Sequence, residues 1–156
     1  MIPKETGSST SNEDKIFISR AGWYVLRYPS SWEIQEDSEC VTLCEPVNGV
    51  GALVMSSYSL PRSCDADAAL LVFLDSQGIA ADAADLGVAS NGDVSTASYE
   101  HVRANGYLKV WAIVRNNVLV LVTYNSKKSA KQEESSSVEE IVKSVRIVSL
   151  ENEIPP

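Results

Sequence analysis

The stretch Tyr107–Tyr124, YLKVWAIVRNNVLVLVTY, limits what this chain can fold into more than any other. Two apolar runs, Leu108 to Val114 (broken only by Lys109) and Val118 to Val122, flank Asn116-Asn117. Their β-branched and aromatic content favours strand over helix. Asparagine tolerates positive φ, so the Asn pair suits a two-residue type I′ turn, whose twist matches that of paired strands. That turn sets a register. Arg115 faces Val118, Ile113 faces Val120, Trp111 faces Val122 and Lys109 faces Tyr124, all on one side. Val110 with Thr123, Ala112 with Leu121 and Val114 with Leu119 share the other. Both sides are apolar at the centre, so water can lie against neither. The hairpin must therefore be central in a sheet that is covered on both faces.

Asn105-Gly106, a strong hairpin dipeptide, leads into this stretch. As a two-residue turn it pairs Val102 with Lys109, His101 with Val110, Glu100 with Trp111 and Tyr99 with Ala112. Three consecutive strands follow, at about 96–104, 107–115 and 118–125.

Upstream, Trp23, Val25 and Arg27 alternate with Tyr24, Leu26 and Tyr28 until Pro29, which cannot donate to a ladder. WEIQED, CVTLCEP and VGALVMSSYSL continue as three further strands, divided at Asp37–Glu39 and Asn48-Gly49, and read as one antiparallel meander. Lys15–Arg20 reads as a short edge strand. After Pro61 the period changes. Ala66, Ala69, Leu70, Phe73, Leu74 and Gln77 form one helical stripe, with Asp65 or Ser63 as cap, Asp67 favourable to the dipole and Gly78 as stop. Residues 79–95 are rich in Ala and Asp and read as a connecting loop with at most a helical turn near Ala80–Leu86. SSSVEEIVKSVRIV reads as a last helix on Val138, Ile141, Val142 and Val145. Ser135 or Ser136 would cap it, Glu139 and Glu140 would fill its first turn, and Lys143 and Arg146 would sit near its end.

The expected fold class is α+β: a central antiparallel sheet of about six to seven strands with helices packed on both faces. Residues 1–14, Ser-, Thr- and Asn-rich, are predicted to be a disordered leader, 15–150 a single domain, and 151–156 a flexible tail.

YPSSW at the end of the first aromatic strand, the acidic short strand after it, the Leu-rich helix after a Pro-ended fourth strand, and three long strands leading to SVRIV together resemble the PsbP-like fold. That superfamily includes the extrinsic photosystem II subunit PsbP, the nuclear Ran-release factor, and bacterial DcrB-like and Eag-chaperone-like proteins. The resemblance covers about Ile16 to Val148. It implies an α/β/α sandwich and a protein-binding scaffold more often than an enzyme.

The net charge of −8 opposes binding to nucleic acid or to anionic lipid, which both call for basic patches. No run approaches the roughly 20 apolar residues of a membrane span. The first 15 residues lack the apolar core of a secretory signal, so a cytoplasmic location is expected. Cys40 and Cys44, four strand residues apart, stand roughly 13 Å from each other. A disulfide needs Cα atoms within about 7 Å. With only one His in the chain and three scattered thiols, neither metal nor cofactor is expected. There is no GxSxG elbow, Walker loop or GxGxxG, and His101 lies in mid-strand opposite an apolar residue.

Two sets of residues remain as candidates. Glu33, Glu36, Asp37, Glu39 and Glu45 fall in a stretch with no Lys or Arg between residues 30 and 50, an acidic surface suited to a basic protein partner. Glu100, Lys109, Trp111 and Tyr124 share one face near a strand end and could line a pocket. The sequence thus points to a non-catalytic, cytoplasmic protein-binding module such as an immunity protein or effector chaperone. A small-molecule binder or carboxylate-using enzyme at Trp111, or a structural subunit of a larger complex, are the alternatives.

Overall fold

The computed structural model of the chain describes residues 13–104, 106–127 and 134–148. The predicted leader up to residue 12, the turn residue at 105, most of the charged loop after Lys127 and the tail from 149 lie outside them.

Two sheets face one another. The larger is antiparallel and ordered β3-β4-β5-β9-β8-β7-β6, built from β3 (Glu33–Glu36), β4 (Val41–Cys44), β5 (Gly51–Ser59), β6 (Gly87–Asn91), β7 (Val94–Val102), β8 (Tyr107–Arg115) and β9 (Val118–Ser126). The smaller is ordered β1-β2-β10, from β1 (Asp14–Ile18), β2 (Tyr24–Pro29) and β10 (Arg146–Ile147). Helix α1 spans Ala66–Ser76, α2 spans Ser135–Lys143, and a 3₁₀ turn occupies Ala83–Asp85.

The β8–β9 hairpin lies at the middle of the larger sheet, and its register matches the sequence expectation pair for pair, from Arg115 opposite Val118 to Lys109 opposite Tyr124. The turn differs in type. Of the two Asn residues only Asn116 has positive φ, at 55°, the pattern of a type II′ turn and not of type I′. Between β7 and β8 the register is two residues away from the expected one: Glu100 faces Lys109, His101 faces Leu108 and Tyr99 faces Val110. The connection is longer than the Asn-Gly dipeptide alone, and the Arg103 N–H donates to the Gly106 carbonyl at 2.8 Å. A slip of two keeps every side chain on its own face.

Each face of the larger sheet has its own core. On one, Ala66, Leu70 and Leu74 of α1 pack on Val110, Ala112, Val114, Leu119 and Leu121. On the other, Val138, Ile141 and Val142 of α2 join Tyr24, Leu26 and Tyr28 of β2 over Leu53, Met55, Trp111, Val120 and Val122. Both faces are thus covered, but the second cover is shared between a helix and the smaller sheet. The expectation of a single four-strand meander is corrected at this point. β2 pairs with β1 and β10, not with β3. After Pro29 the chain crosses from one sheet to the other, with Trp32 buried at the crossing and its N–H on the Pro29 carbonyl.

Helix α1 ends as the Gly78 signal implies. Gly78 has φ +75°, its N–H donates to the Asp75 carbonyl, and the N–H of buried Ile79 reaches back to Leu74. At its start Asp65 makes no side-chain cap bond; Ser95 Oγ of β7 accepts the Ala66 N–H at 3.0 Å. Helix α2 departs from expectation at both ends. Its N-cap is Glu134, Ser135 and Ser136 lie inside it, and Glu139 and Glu140 come after the first turn. It stops at Lys143, where Ser144 Oγ accepts the Arg27 backbone N–H at 2.8 Å and donates to the Ile141 carbonyl at 2.6 Å, and Arg146–Ile147 pair with β2 as β10. Two further boundaries differ. Asp14, assigned to the leader, begins β1, and the expected loop at 79–95 contains β6.

Candidate functional site

The acidic residues lie along the β3–β4 hairpin, at one edge of the larger sheet. The structure brings Glu36, Asp37 and Glu39 together at its tip. Asp37 Oδ1 accepts the backbone N–H groups of Glu39 (2.8 Å) and Cys40 (2.9 Å), a tight Asx turn. These bonds, that of Cys40 first, hold the Asp37 carboxyl below the usual carboxylate range. Glu36 accepts the Arg20 N–H at 2.7 Å and so ties the tip to the turn after β1. Between tip and turn lies a cleft of about 300 Å³, lined by Arg20, Trp23, Glu36, Asp37 and Glu39 among others. Glu33 and Glu45 are not part of this group. Glu33 faces Cys44 at the opposite end of the hairpin, and Glu45 caps its own loop by accepting the Val47 and Asn48 N–H groups.

The second set does converge. Glu100, Lys109 and Tyr124 stand side by side on neighbouring strands, because Lys109 is opposite both of the others. The Lys109 ammonium lies 5.2 Å above the Trp111 ring and pairs with Glu139 of α2 at 2.7 Å. Tyr124 donates to Glu134 at 2.7 Å, Tyr107 donates to Glu100, and the two phenol rings meet edge to face. Burial, then the bonded Glu100 carboxylate, raises the Tyr107 phenol pKa. Gly51 is part of this arrangement: a Cβ there would come within 2.6 Å of Tyr124 Oη. The space left between these groups is about 50 Å³. That is room for a water or two at about 30 Å³ each, not for a substrate. Chemically the cluster holds one ammonium, paired with Glu139, beside two phenols that donate to Glu100 and Glu134.

Sequence reasoning missed Tyr107, Glu134 and Glu139. Tyr107 was within reach, since it shares the period-two face of Lys109 and Trp111. The two glutamates were not, because they come from α2 across the sheet. Among the described residues the three cysteines are free, and no group of three or more His, Cys, Asp or Glu side chains could hold a metal ion. His101 stacks on Tyr99 at 6.3 Å between ring centres. No helix among the described residues is long and apolar enough to cross a membrane.

A family model described as "Domain of unknown function (DUF3805)" matches residues 12–156. The chain belongs to this DUF3805 family. No curated protein matches it. Among solved structures, it is similar to a protein from Bacteroides thetaiotaomicron at 19% identity and a TM-score of 0.64. The match covers 86% of this chain and 48% of the other, so the DUF3805 chain spans about half the length of that protein. It is also similar to the cyanobacterial PsbP, CyanoP, of Synechocystis at 8% identity and a TM-score of 0.63, over 87% of this chain and 93% of the other. The DUF3805 chain therefore has a PsbP-like fold. At these identities the likeness speaks for fold alone.

Proposed function

We propose that the chain is a protein-binding module with no chemistry of its own, and that it meets a basic partner through the β3–β4 hairpin. One observation carries this reading. Glu36, Asp37 and Glu39 stand together on an exposed tip, and two backbone N–H groups hold the Asp37 carboxylate both ionised and fixed in direction. Preformed charge speeds encounter with a cationic surface and loses little entropy on binding. An immunity protein that masks a basic active surface fits this chemistry best. An effector chaperone is the second reading, favoured by Ile16 and Ile18 of β1, 71% and 62% exposed, with Ile16 lining a groove of about 450 Å³ between β1–β2 and α2. The small-molecule and carboxylate-enzyme readings at Trp111 rank lower, because the polar groups there bond to each other around very little space. Three free thiols suit a reducing compartment, and we infer a cytoplasmic one.

The test is isosteric neutralisation. The triple variant Glu36→Gln, Asp37→Asn, Glu39→Gln keeps the size of each side chain and one acceptor oxygen on it, enough for the two bonds to Asp37 Oδ1, and removes the charge. Against a partner isolated from the native host, we expect at least a tenfold loss of affinity and a flatter salt dependence. Adding Glu33→Gln and Glu45→Gln shows whether the far end of the hairpin takes part. Unchanged affinity and salt slope in the triple variant would reject the acidic tip as the docking surface.

A further inference from the structure

The opposite edge of the larger sheet is built differently. β6, Gly87–Asn91, reads GVASN, with no charge and no proline, and all five residues are exposed, Val88 to 65%. It is joined to β7 by a two-residue turn, Gly92-Asp93, with Asn91 opposite Val94. The pair that closes such a turn is hydrogen-bonded, and bonded and non-bonded pairs alternate beyond it. Asn91, Ala89 and Gly87 therefore direct their peptide groups to β7, while those of Val88 and Ser90 face outward. Natural sheets guard such an edge with Lys, Pro, a bulge or a covering element. Among the described residues none of these is on β6.

A hollow lies on each side of this edge. On the α2 side a groove of about 650 Å³ runs from Ala89 and Asn91 across Trp111 and Ile113 to Arg115, Lys143 and Arg146. Its one carboxylate, Glu139, is already paired with Lys109, and Arg115 with Asp93 of the turn, so its cationic character comes from Lys143 and Arg146. On the α1 side a groove of about 460 Å³ is lined by Val88, Ser90, Ser95, Asp65 and Asp67, with no cation. An antiparallel strand sends alternate side chains to opposite faces. A strand laid on β6 would thus place one set over a cationic, partly apolar groove and the other over an acidic one.

We propose that β6 accepts an extended segment of a partner protein by strand addition, and that this segment alternates acidic or apolar residues, which face Lys143 and Arg146, with basic residues, which face Asp65 and Asp67. The main-chain bonds to Val88 and Ser90 supply attachment, and the two grooves read the alternation. This surface is separate from the acidic hairpin, so either can fail without the other.

The probe is a fluorescein-labelled peptide, Thr-Glu-Lys-Val-Lys-Glu-Thr, which puts its acidic and basic residues on opposite faces. The control, Thr-Glu-Glu-Val-Lys-Lys-Thr, has the same composition with the charges mixed on both. Fluorescence anisotropy on the full chain should give at least tenfold tighter binding of the segregated peptide. Ser90→Pro removes an outward N–H without touching the β6–β7 ladder, and Lys143→Glu reverses the groove. Each should weaken that binding at least tenfold, with far-UV circular dichroism unchanged. Should Ser90→Pro disturb the fold, Val88→Pro repeats the test at the other outward N–H. Equal binding of the two peptides, or full binding by a folded proline variant, overturns the proposal. So does light scattering that finds a wild-type dimer and a Ser90→Pro monomer, because the edge would then be occupied by a second copy.

Discussion

β3 and β6 occupy opposite edges of one sheet, and each turns a row of peptide groups outward. β3 carries Glu33 and Glu36, and it is anchored: buried Trp32 precedes it, Ile34 packs against the core, and the Arg20 backbone N–H ties down Glu36. β6 has no charged side chain and no buried one, and is held by β7 and by the turn at Gly92. The difference separates two ways of treating a sheet edge. A charged edge repels further strands and leaves only electrostatics as a means of contact, whereas a neutral one keeps its hydrogen bonds open to another chain.

The sharpest way to break this comparison is through stability. Trp32→Ala should cost about 3–5 kcal/mol, since it empties a buried aromatic site. Val88→Ala should stay within about 0.5 kcal/mol. Urea titrations that gave equal losses would mean the edges are anchored alike. Next in size is the alkaline limit. Burial, then Glu36 and Cys40, raises the Tyr24 pKa beside the β3 edge. The folded state then holds a proton that the unfolded chain releases near pH 10. This stability is fully present below the unfolded value and is lost as pH rises through the folded one. Tyr24→Phe should reduce the alkaline loss to the share of Tyr107, which a pH series of melting temperatures would record. Gly92→Ala, at φ +65°, should cost about 1 kcal/mol and act locally. Amide exchange of β6 should quicken while that of β4 holds. The smallest effect belongs to exposed Asp37. Its depressed pKa gives stability present above the unfolded value near 3.9 and lost as pH falls through the folded one. Asp37→Asn should flatten the acid limb of the same pH series.

The parts of the fold that could be read from the sequence are those whose neighbours are local. β8 and β9 are joined by two residues, so Asn116-Asn117 and two apolar runs sufficed to pair Trp111 with Val122. The alternation in β2 identified a strand, but nothing in Tyr24, Leu26 and Tyr28 says which sheet they enter. β6 was unreadable because GVASN buries nothing, and its conformation comes from β7. β10 was hidden by Val142 and Val145, whose spacing continues the helix that Ser144 stops. In the candidate sites, Glu100 and Lys109 were grouped correctly although their register was two off, since an even slip preserves the face. The split of the acidic set could not be foreseen, because Glu45 binds backbone in a loop of its own.

The Ser144 hydroxyl accepts the backbone N–H of Arg27, 117 residues away, next to the pairing of β10 with β2. During synthesis, then, the smaller sheet lacks its last strand until every other described strand has left the ribosome. Until α2 emerges, the apolar underside of β2, with Tyr24 and Leu26, waits partly uncovered. Contacts this distant in sequence close slowly. The smaller sheet is therefore completed last, by a strand of two residues.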